Sequence, residues 1–236
     1  MTLQDKRVVI LGGTSGIGLA TAEIAAAQGA TMIVASSNPL SVKRALDTLP
    51  ASATGEAVDL TDSSAVQAFF DSIDPFDHLV FTAGEPLTLL EVTSMDLTAA
   101  RKAFELRYFG ALGAISAALP RLRPGGSVVL TTGSAADRPG AGWSVASSIC
   151  GAIDSLVRAL AVELAPLRVN AVKPGVVRTP LWSDMSPQAL YDETAKVVPV
   201  GRVGEPADIA AAYIYLMNQE YATGSIVTVD GGHVLV

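Results

Sequence analysis

The sequence predicts a doubly wound α/β fold: one domain over residues 1–236, built on a seven-stranded parallel sheet with helices on both faces. Three observations predict it. Short β-rich apolar runs alternate with longer Ala-rich segments, the runs are apolar throughout and so suit a sheet covered on both sides, and the first run opens into a cluster of glycines. Composition agrees, since 50% of the residues are hydrophobic, 17% are charged, and the 21 Gly and 13 Pro follow no fibrous or low-complexity period. A chain of 236 residues has room for one full-sized core.

The elements follow in order. Arg7–Leu11 is a β-branched strand run, and the Ala-rich helix 16–28 begins inside the glycine cluster behind it. Strand 31–35, helix 41–49, strand 55–58 and helix 63–72 continue the alternation, and strand 78–81 leads to a long helical pattern over 96–119. Strand 127–131, helix 143–164, strand 168–172, helix 206–218 and strand 225–229 complete the set. Parallel neighbours joined by helices require right-handed crossovers, which is the doubly wound arrangement. The longest non-periodic stretch, 174–206, holds Trp182, Met185 and a short helical pattern over 188–196, and its 175–205 portion reads as a lid over a substrate.

Charge and cysteine content exclude several classes. Sixteen basic against twenty-three acidic side chains leave a net charge of −7 with the cations scattered, which argues against a nucleic-acid partner. Cys150 is the single cysteine, and Met1 to Lys6 lack the apolar stretch of a secretory signal, so the expected compartment is the cytoplasm. No apolar run approaching the roughly 18 residues of a spanning helix stands out, and no membrane partner is expected. The acidic patches at Asp59–Asp62 and Asp71–Asp77 lack metal-ligand spacing, so no metal is expected and both read as solvated loops.

Strand 7–11 runs into Gly12-Gly13-Thr14-Ser15-Gly16-Ile17-Gly18. Glycines let the backbone turn tightly and let a pyrophosphate approach it, while free N–H groups and the dipole at the helix start favour the anion, so a dinucleotide is the natural ligand. A merely tight strand-to-helix turn is the plainer alternative. Strand 31–35 ends at Ser36-Ser37-Asn38, where an acidic residue would grip a ribose 2′-hydroxyl and repel a 2′-phosphate. With hydroxyls and an amide there, and Lys43 and Arg44 a turn beyond, NADP(H) is favoured over NAD(H); the same three residues also suit a helix cap.

The Gly-x-x-x-Gly-x-Gly spacing resembles the short-chain dehydrogenase/reductase family, whose members have a Rossmann-type fold. Thr82-Ala83-Gly84 resembles the family's Asn-Ala-Gly turn, Asp59-Leu60 its adenine-contacting pair, and Val229-Asp230-Gly231-Gly232 its closing motif. Arg168–Val172 followed by Pro174-Gly175-Val176-Val177-Arg178-Thr179-Pro180 is similar to its sixth strand and nicotinamide loop. The resemblance spans nearly the whole chain. It implies that Ile17, Ala83 and Gly84 line the cofactor and that Val177 and Thr179 meet its carboxamide end. It also implies a homotetramer or homodimer packed through helices 96–119 and 143–164.

The resemblance breaks at the residues that do the family's chemistry. A Tyr exchanges the proton, a Lys four residues later lowers the phenol's pKa and holds the nicotinamide ribose, and a Ser and an Asn complete the set. Aligning Leu156 to Leu164 without a gap puts Ala146 at the Tyr position and Cys150 at the Lys position, and no tyrosine lies between Tyr108 and Tyr191 to restore the pair by a slip. Arg107 falls at the Asn position. Ser134 supplies a hydroxyl near the Ser position, with Thr132 as an alternative and Gly133 at the commonest spacing. Trp143, Ala146 and Cys150 share one neutral helix face.

Arg107 is read as a relocated cation, against a plain ion pair with Glu105 or Asp154; Cys150 is read as a small buried hydrophobe. Trp143 either closes the substrate pocket or covers an apolar edge. His78 and His233 read as structural, with contact to a neighbouring subunit as the alternative for His233. The reading is an oxidoreductase moving hydride between NADP(H) and a small carbonyl or alcohol substrate, with Ser134 and Arg107 at the chemistry and the proton drawn from Ser134, water or a lid group. An inactive NADP(H)-binding sensor or scaffold is the alternative from another class, and lyase or dehydratase chemistry in the same cleft is a third.

Overall fold

A computed structural model describes residues 2–87, 89–183 and 185–236. Seven strands, β1 Arg7–Leu11, β2 Thr31–Ser36, β3 Thr54–Ala57, β4 Phe76–Phe81, β5 Leu122–Thr131, β6 Arg168–Pro174 and β7 Ile226–Val229, pair in parallel in the order β3-β2-β1-β4-β5-β6-β7. The helices are α1 Gly16–Ala27, α2 Pro39–Leu46, α3 Ser63–Ser72, α4 Leu97–Phe104, α5 Ala111–Ala118, α6 Ser144–Glu163, α7 Pro187–Val197 and α8 Pro206–Asn218. The doubly wound architecture is as the sequence predicts.

The apolar runs of the central strands have a direct structural cause, whereas the edge strand β3, Thr54–Ala57, is largely exposed. Side chains alternate across a sheet, and both faces here are covered. Val8, Ile10, Val34, Val80, Val129 and Val172 pack on α1 and α8 through Ala22, Ala25, Ile209 and Tyr213. Val9, Leu11, Leu79, Phe81, Val128 and Ala171 pack on α3, α5 and α6 through Phe70, Ile115, Ile153 and Val157. The strand order reverses between β1 and β4, so their carboxyl ends open a crevice at the switch point where such sheets bind ligands.

Three expectations need correction. The single helix expected over 96–119 is broken by a π-helical segment, Glu105–Gly110, between α4 and α5, and ends in a 3₁₀ turn at Leu119–Arg121. The one extra residue per turn is invisible to a 3.6-residue pattern, and such turns re-aim side chains near functional sites. α6 is 20 residues long with hydropathy 1.6, so by length and composition it does reach the size of a spanning helix. It lies against the sheet, burying Ile149, Ile153, Val157 and Leu160, and carries the ion-paired Asp154. Asp77 is not a solvated loop residue: it is buried, accepts a hydrogen bond from the Arg7 backbone N–H at 2.8 Å, and pairs with Lys6 and Arg123. His233, read as structural, lies in the wall of a cavity described below.

Candidate active site

The glycine cluster becomes a cradle because no side chain fits inside it. Gly12 has φ +87°, and a Cβ there would come within 2.5 Å of the Ala83 backbone nitrogen. A Cβ on Gly18 would meet the Gly12 carbonyl oxygen at 2.3 Å, so the loop is packed backbone to backbone on the Thr82-Ala83-Gly84 turn. Thr82 Oγ1 donates toward the carbonyls of Leu11 and Gly12, both at 3.2 Å, and locks the two turns together. α1 starts with Ser15 at its cap position and no side-chain cap bond, and its first turn has no acidic residue. Its free N–H groups are therefore open to an anion. Thr14 flanks this opening, Gly16 and Ile17 begin the helix, and Thr179 Cγ2 approaches within 3.1 Å of a Cβ built on Gly16, bringing the loop after β6 over the same cradle. This arrangement fits a dinucleotide's pyrophosphate.

The remaining cofactor candidates lie along the same edge. Ser36 ends β2, and Asn38 caps α2 by accepting from the Leu40 and Ser41 N–H groups, while exposed Ser37 stands between them. Arg44 turns back to donate to Ser41 Oγ at 3.0 Å instead of reaching over the β2 end. Asp59 accepts from both the hydroxyl and the N–H of Thr61, which hold its carboxyl below the usual carboxylate range, and the Leu60 side chain is buried. Pro174 ends β6, Gly175 donates to the Val229 carbonyl at 3.1 Å, and a Cβ on Gly175 would meet Asp230 at 2.9 Å. Val177 is buried and bridges to Gly204, closing the base of the 175–205 segment.

Beyond the Gly84 turn lies a cavity of about 750 Å³ lined by Ala83, Arg107, Ser134, Trp143, Ala146, Cys150, Val176 and Trp182 among others. Its walls are mostly apolar, and no tyrosine is among the described residues that line it. Trp143 and Trp182 sit with ring centroids 6.3 Å apart, so Trp143 is a pocket wall. Trp182 donates from Nε1 to the Val177 carbonyl at 2.8 Å, which anchors the outer segment to the sheet end. Arg178 stacks over the Tyr191 ring at 4.6 Å, fixing α7 above it.

Arg107 is aimed by the π segment. Its Nη2 donates to the Glu85 carbonyl, and its Nε stands 3.6 Å from Glu85 Oε2, so its ionic partner is Glu85 and not Glu105 or Asp154. A Cβ on Gly84 would lie 2.7 Å from Arg107 Nη1, which places the guanidinium flat against the glycine of the cofactor-facing turn. Cys150 Sγ fills the space beside Gly133, 3.1 Å from a Cβ built there, and burial pushes its thiol up to about 11. It is therefore a neutral thiol at ordinary pH, but it is half-buried on the cavity wall and not core filler. Thr132 spends its hydroxyl on the Cys150 carbonyl at 2.9 Å. Ser134, buried at the head of a 3₁₀ turn, makes no side-chain hydrogen bond among the described residues and lines the cavity, so of the two alternatives it keeps the free hydroxyl.

Sequence reasoning missed four groups here. Glu85, Arg138 and Lys102 line the cavity, and Lys173 sits behind it with Nζ 2.6 Å from Asp137 Oδ2 and 2.8 Å from Asp154 Oδ2. Lys173 was hidden inside a strand run, and nothing local marks its partners. The only available signal was the family-like order of elements, which brings the carboxyl ends of β4, β5 and β6 to one edge.

Comparisons with known proteins bear on the same residues. A family model described as enoyl-(acyl carrier protein) reductase matches residues 12–233. The short-chain dehydrogenase/reductase ATR9 of Stachybotrys chlorohalonatus is 35% identical over 249 residues, covering 98% of each chain. A solved small-chain dehydrogenase in complex with NADPH superposes with a TM-score of 0.87 at 35% identity, covering 99% of this chain and all of that one. The solved MalC reductase/Diels-Alderase of Malbranchea aurantiaca does so with a TM-score of 0.91 at 31% identity, covering 99% and 98%.

Proposed function

The chain belongs to the short-chain dehydrogenase/reductase family, and on that premise we propose that it is an NADP(H)-dependent oxidoreductase for a carbonyl or alcohol substrate, working with a non-standard active site. The observation that carries the reading is the continuity of the uncapped glycine cradle, the Gly84 turn and the cavity holding Arg107. The preference for NADP(H) rests on Ser36, Ser37 and Asn38, which offer a 2′-phosphate donors and no carboxylate, and on the solved relative that holds NADPH.

In this reading the N–H groups at Ser15 to Gly18 hold the pyrophosphate, Asp59 and Leu60 flank the adenine, and Val177 and Thr179 meet the carboxamide end. When bound, the nicotinamide supplies hydride transfer. The chain supplies charge and position. We align Ala146 and Cys150 with the family's Tyr and Lys, so α6 brings neither phenol nor ammonium. The cation comes instead from Arg107, set against Gly84, where it favours the negative charge that develops on a carbonyl oxygen. Ser134 donates its free hydroxyl to that oxygen, and its proton is replaced through water or a lid group. Losing a dedicated acid costs roughly 10²–10⁴ in rate without forbidding the reaction.

The same neutral α6 face favours a second reading, an NADP(H)-binding sensor or scaffold without turnover. We read the chain as one domain with a lid over 175–205, and the exposed Leu97, Phe109 and Leu112 support self-association through α4 and α5. The deciding experiment follows absorbance of the reduced nicotinamide with a panel of ketones, aldehydes and quinones, beside direct NADPH titration. Oxidation of NADPH that Arg107→Met and Ser134→Ala both reduce is the expected result. Tight binding with silence throughout establishes the sensor, and turnover unchanged in both variants overturns the residue assignments.

A further inference from the structure

The cavity carries more positive charge than the proposed reaction uses. Arg107 has Glu85 as its partner, but Lys102 and Arg138 line the same cavity with no acidic partner among the described residues, in a chain whose net charge is −7. Arg138 is not a loose surface group. Its Nη1 donates to the carbonyl oxygen of His233, 95 positions away in sequence, which ties the loop between β5 and α6 to the carboxyl-terminal turn. That turn is itself built: Asp230 accepts from the Gly232 and Val234 N–H groups, both at 2.9 Å, and so holds His233 in the cavity wall.

His233 adds an independent observation. Its Nδ1 is buried and has no hydrogen-bond partner. Burial, then the neighbouring Arg138, lower the imidazole's pKa against the opposing pull of Asp230, which favours the neutral ring beside the guanidinium. Arg138 spends one N–H on the His233 carbonyl and keeps its other donors and its charge for an acceptor, in a mostly apolar wall.

We propose that Arg138, held by the His233 carbonyl, forms an anion subsite in the cavity wall, and that the substrate is a carbonyl compound carrying a carboxylate on an apolar body. The apolar body lies along Trp143 and Trp182. This rests on the oxidoreductase reading for the carbonyl, but not for the anion. A carboxylate meets the guanidinium's charge and its remaining N–H donors, whereas its ester offers no charge to satisfy.

The test needs neither turnover nor cofactor, because the chain's two tryptophans, Trp143 and Trp182, both line the cavity and report occupancy by fluorescence. Benzoylformate and benzoylbutyrate are titrated beside their methyl esters, with and without NADPH. At least one acid is expected to bind roughly 10- to 100-fold tighter than its ester, the range of a hydrogen bond to a charged group. Arg138→Gln should bring acid and ester within about 3-fold, and Arg138→Lys should keep a large part of the preference. Equal binding of both acids and their esters, absence of saturable quenching by either acid, or an acid preference that survives Arg138→Gln overturns the subsite. So does a loss confined to NADPH affinity, which would assign Arg138 to the cofactor phosphates. An acid preference without any NADPH oxidation leaves the subsite standing and sinks only the oxidoreductase reading.

Discussion

At the β1–α1 turn the crevice is walled by peptide groups: Gly12 against Ala83, Gly18 against the Gly12 carbonyl, and an α1 start that no side chain caps. At the β5–α6 end it is walled by side chains: Ser134, Cys150, Arg107, Arg138, and behind them Lys173 between two aspartates. The difference predicts which half can tolerate change. A backbone cradle has one solution, since any added atom strikes the main chain, whereas a side-chain wall of the same shape can be rebuilt with different chemistry. Here it carries a thiol and a methyl on α6 and a guanidinium from the π segment.

The largest effect should come from the charged cluster that supports the side-chain half. Lys173 is 6% exposed at its side chain, and Asp154 Oδ1 is already buried without a partner. Lys173→Met therefore leaves Asp154 buried and uncompensated, a loss of about 3–5 kcal/mol, read by urea denaturation. The double change Lys173→Met with Asp154→Asn should recover a large part of it, because the stranded charge goes too. No recovery would show that the cluster is not coupled as its 2.8 Å contact implies.

Gly12→Ala tests the backbone half. The left-handed φ of +87° and the 2.5 Å approach to Ala83 combine strain and overpacking, for about 2–3 kcal/mol. NADPH affinity should fall with stability, since the cradle and the fold are one object. Arg107→Met should do the reverse, with turnover down roughly 100-fold and NADPH affinity nearly unchanged. Equal losses in both would mean that Arg107 holds the cofactor and not the developing charge.

The two halves were also unequally legible. The glycine spacing, the central apolar strands and the helix cap at Asn38 are local patterns with local causes, and the structure places them as read, while the edge strand β3 is more exposed than the pattern implies. Strand β4 begins earlier than its apolar run suggests, at Phe76, and β5 starts at Leu122 ahead of Gly125 and Gly126, because pairing with neighbours extends them. The π segment that aims Arg107 breaks no composition rule, and its partner Glu85 lies 22 positions away on another element. Lys173 with Asp137 and Asp154, and Arg138 with His233, are contacts that only the assembled sheet edge creates. The sequence names such residues without saying that they meet.

The smallest expected effect falls on Cys150. Its thiol, pushed up to about 11 by burial from an ordinary 9.0, holds about 100-fold less thiolate at neutral pH than a free cysteine, and thiolate is the reacting form. Iodoacetamide at pH 8 should therefore alkylate it roughly 100-fold more slowly than free cysteine, by mass spectrometry of the intact chain. Because the side chain only fills space beside Gly133, Cys150→Ser should change stability by about 1 kcal/mol or less and leave NADPH affinity alone. Rapid alkylation would mean that the pull of Arg107 and Lys173 on the thiolate outweighs burial. The α6 face would then carry an anion, and the reading of Ala146 and Cys150 as a neutral stretch of the side-chain half would fail at the residue on which it turns.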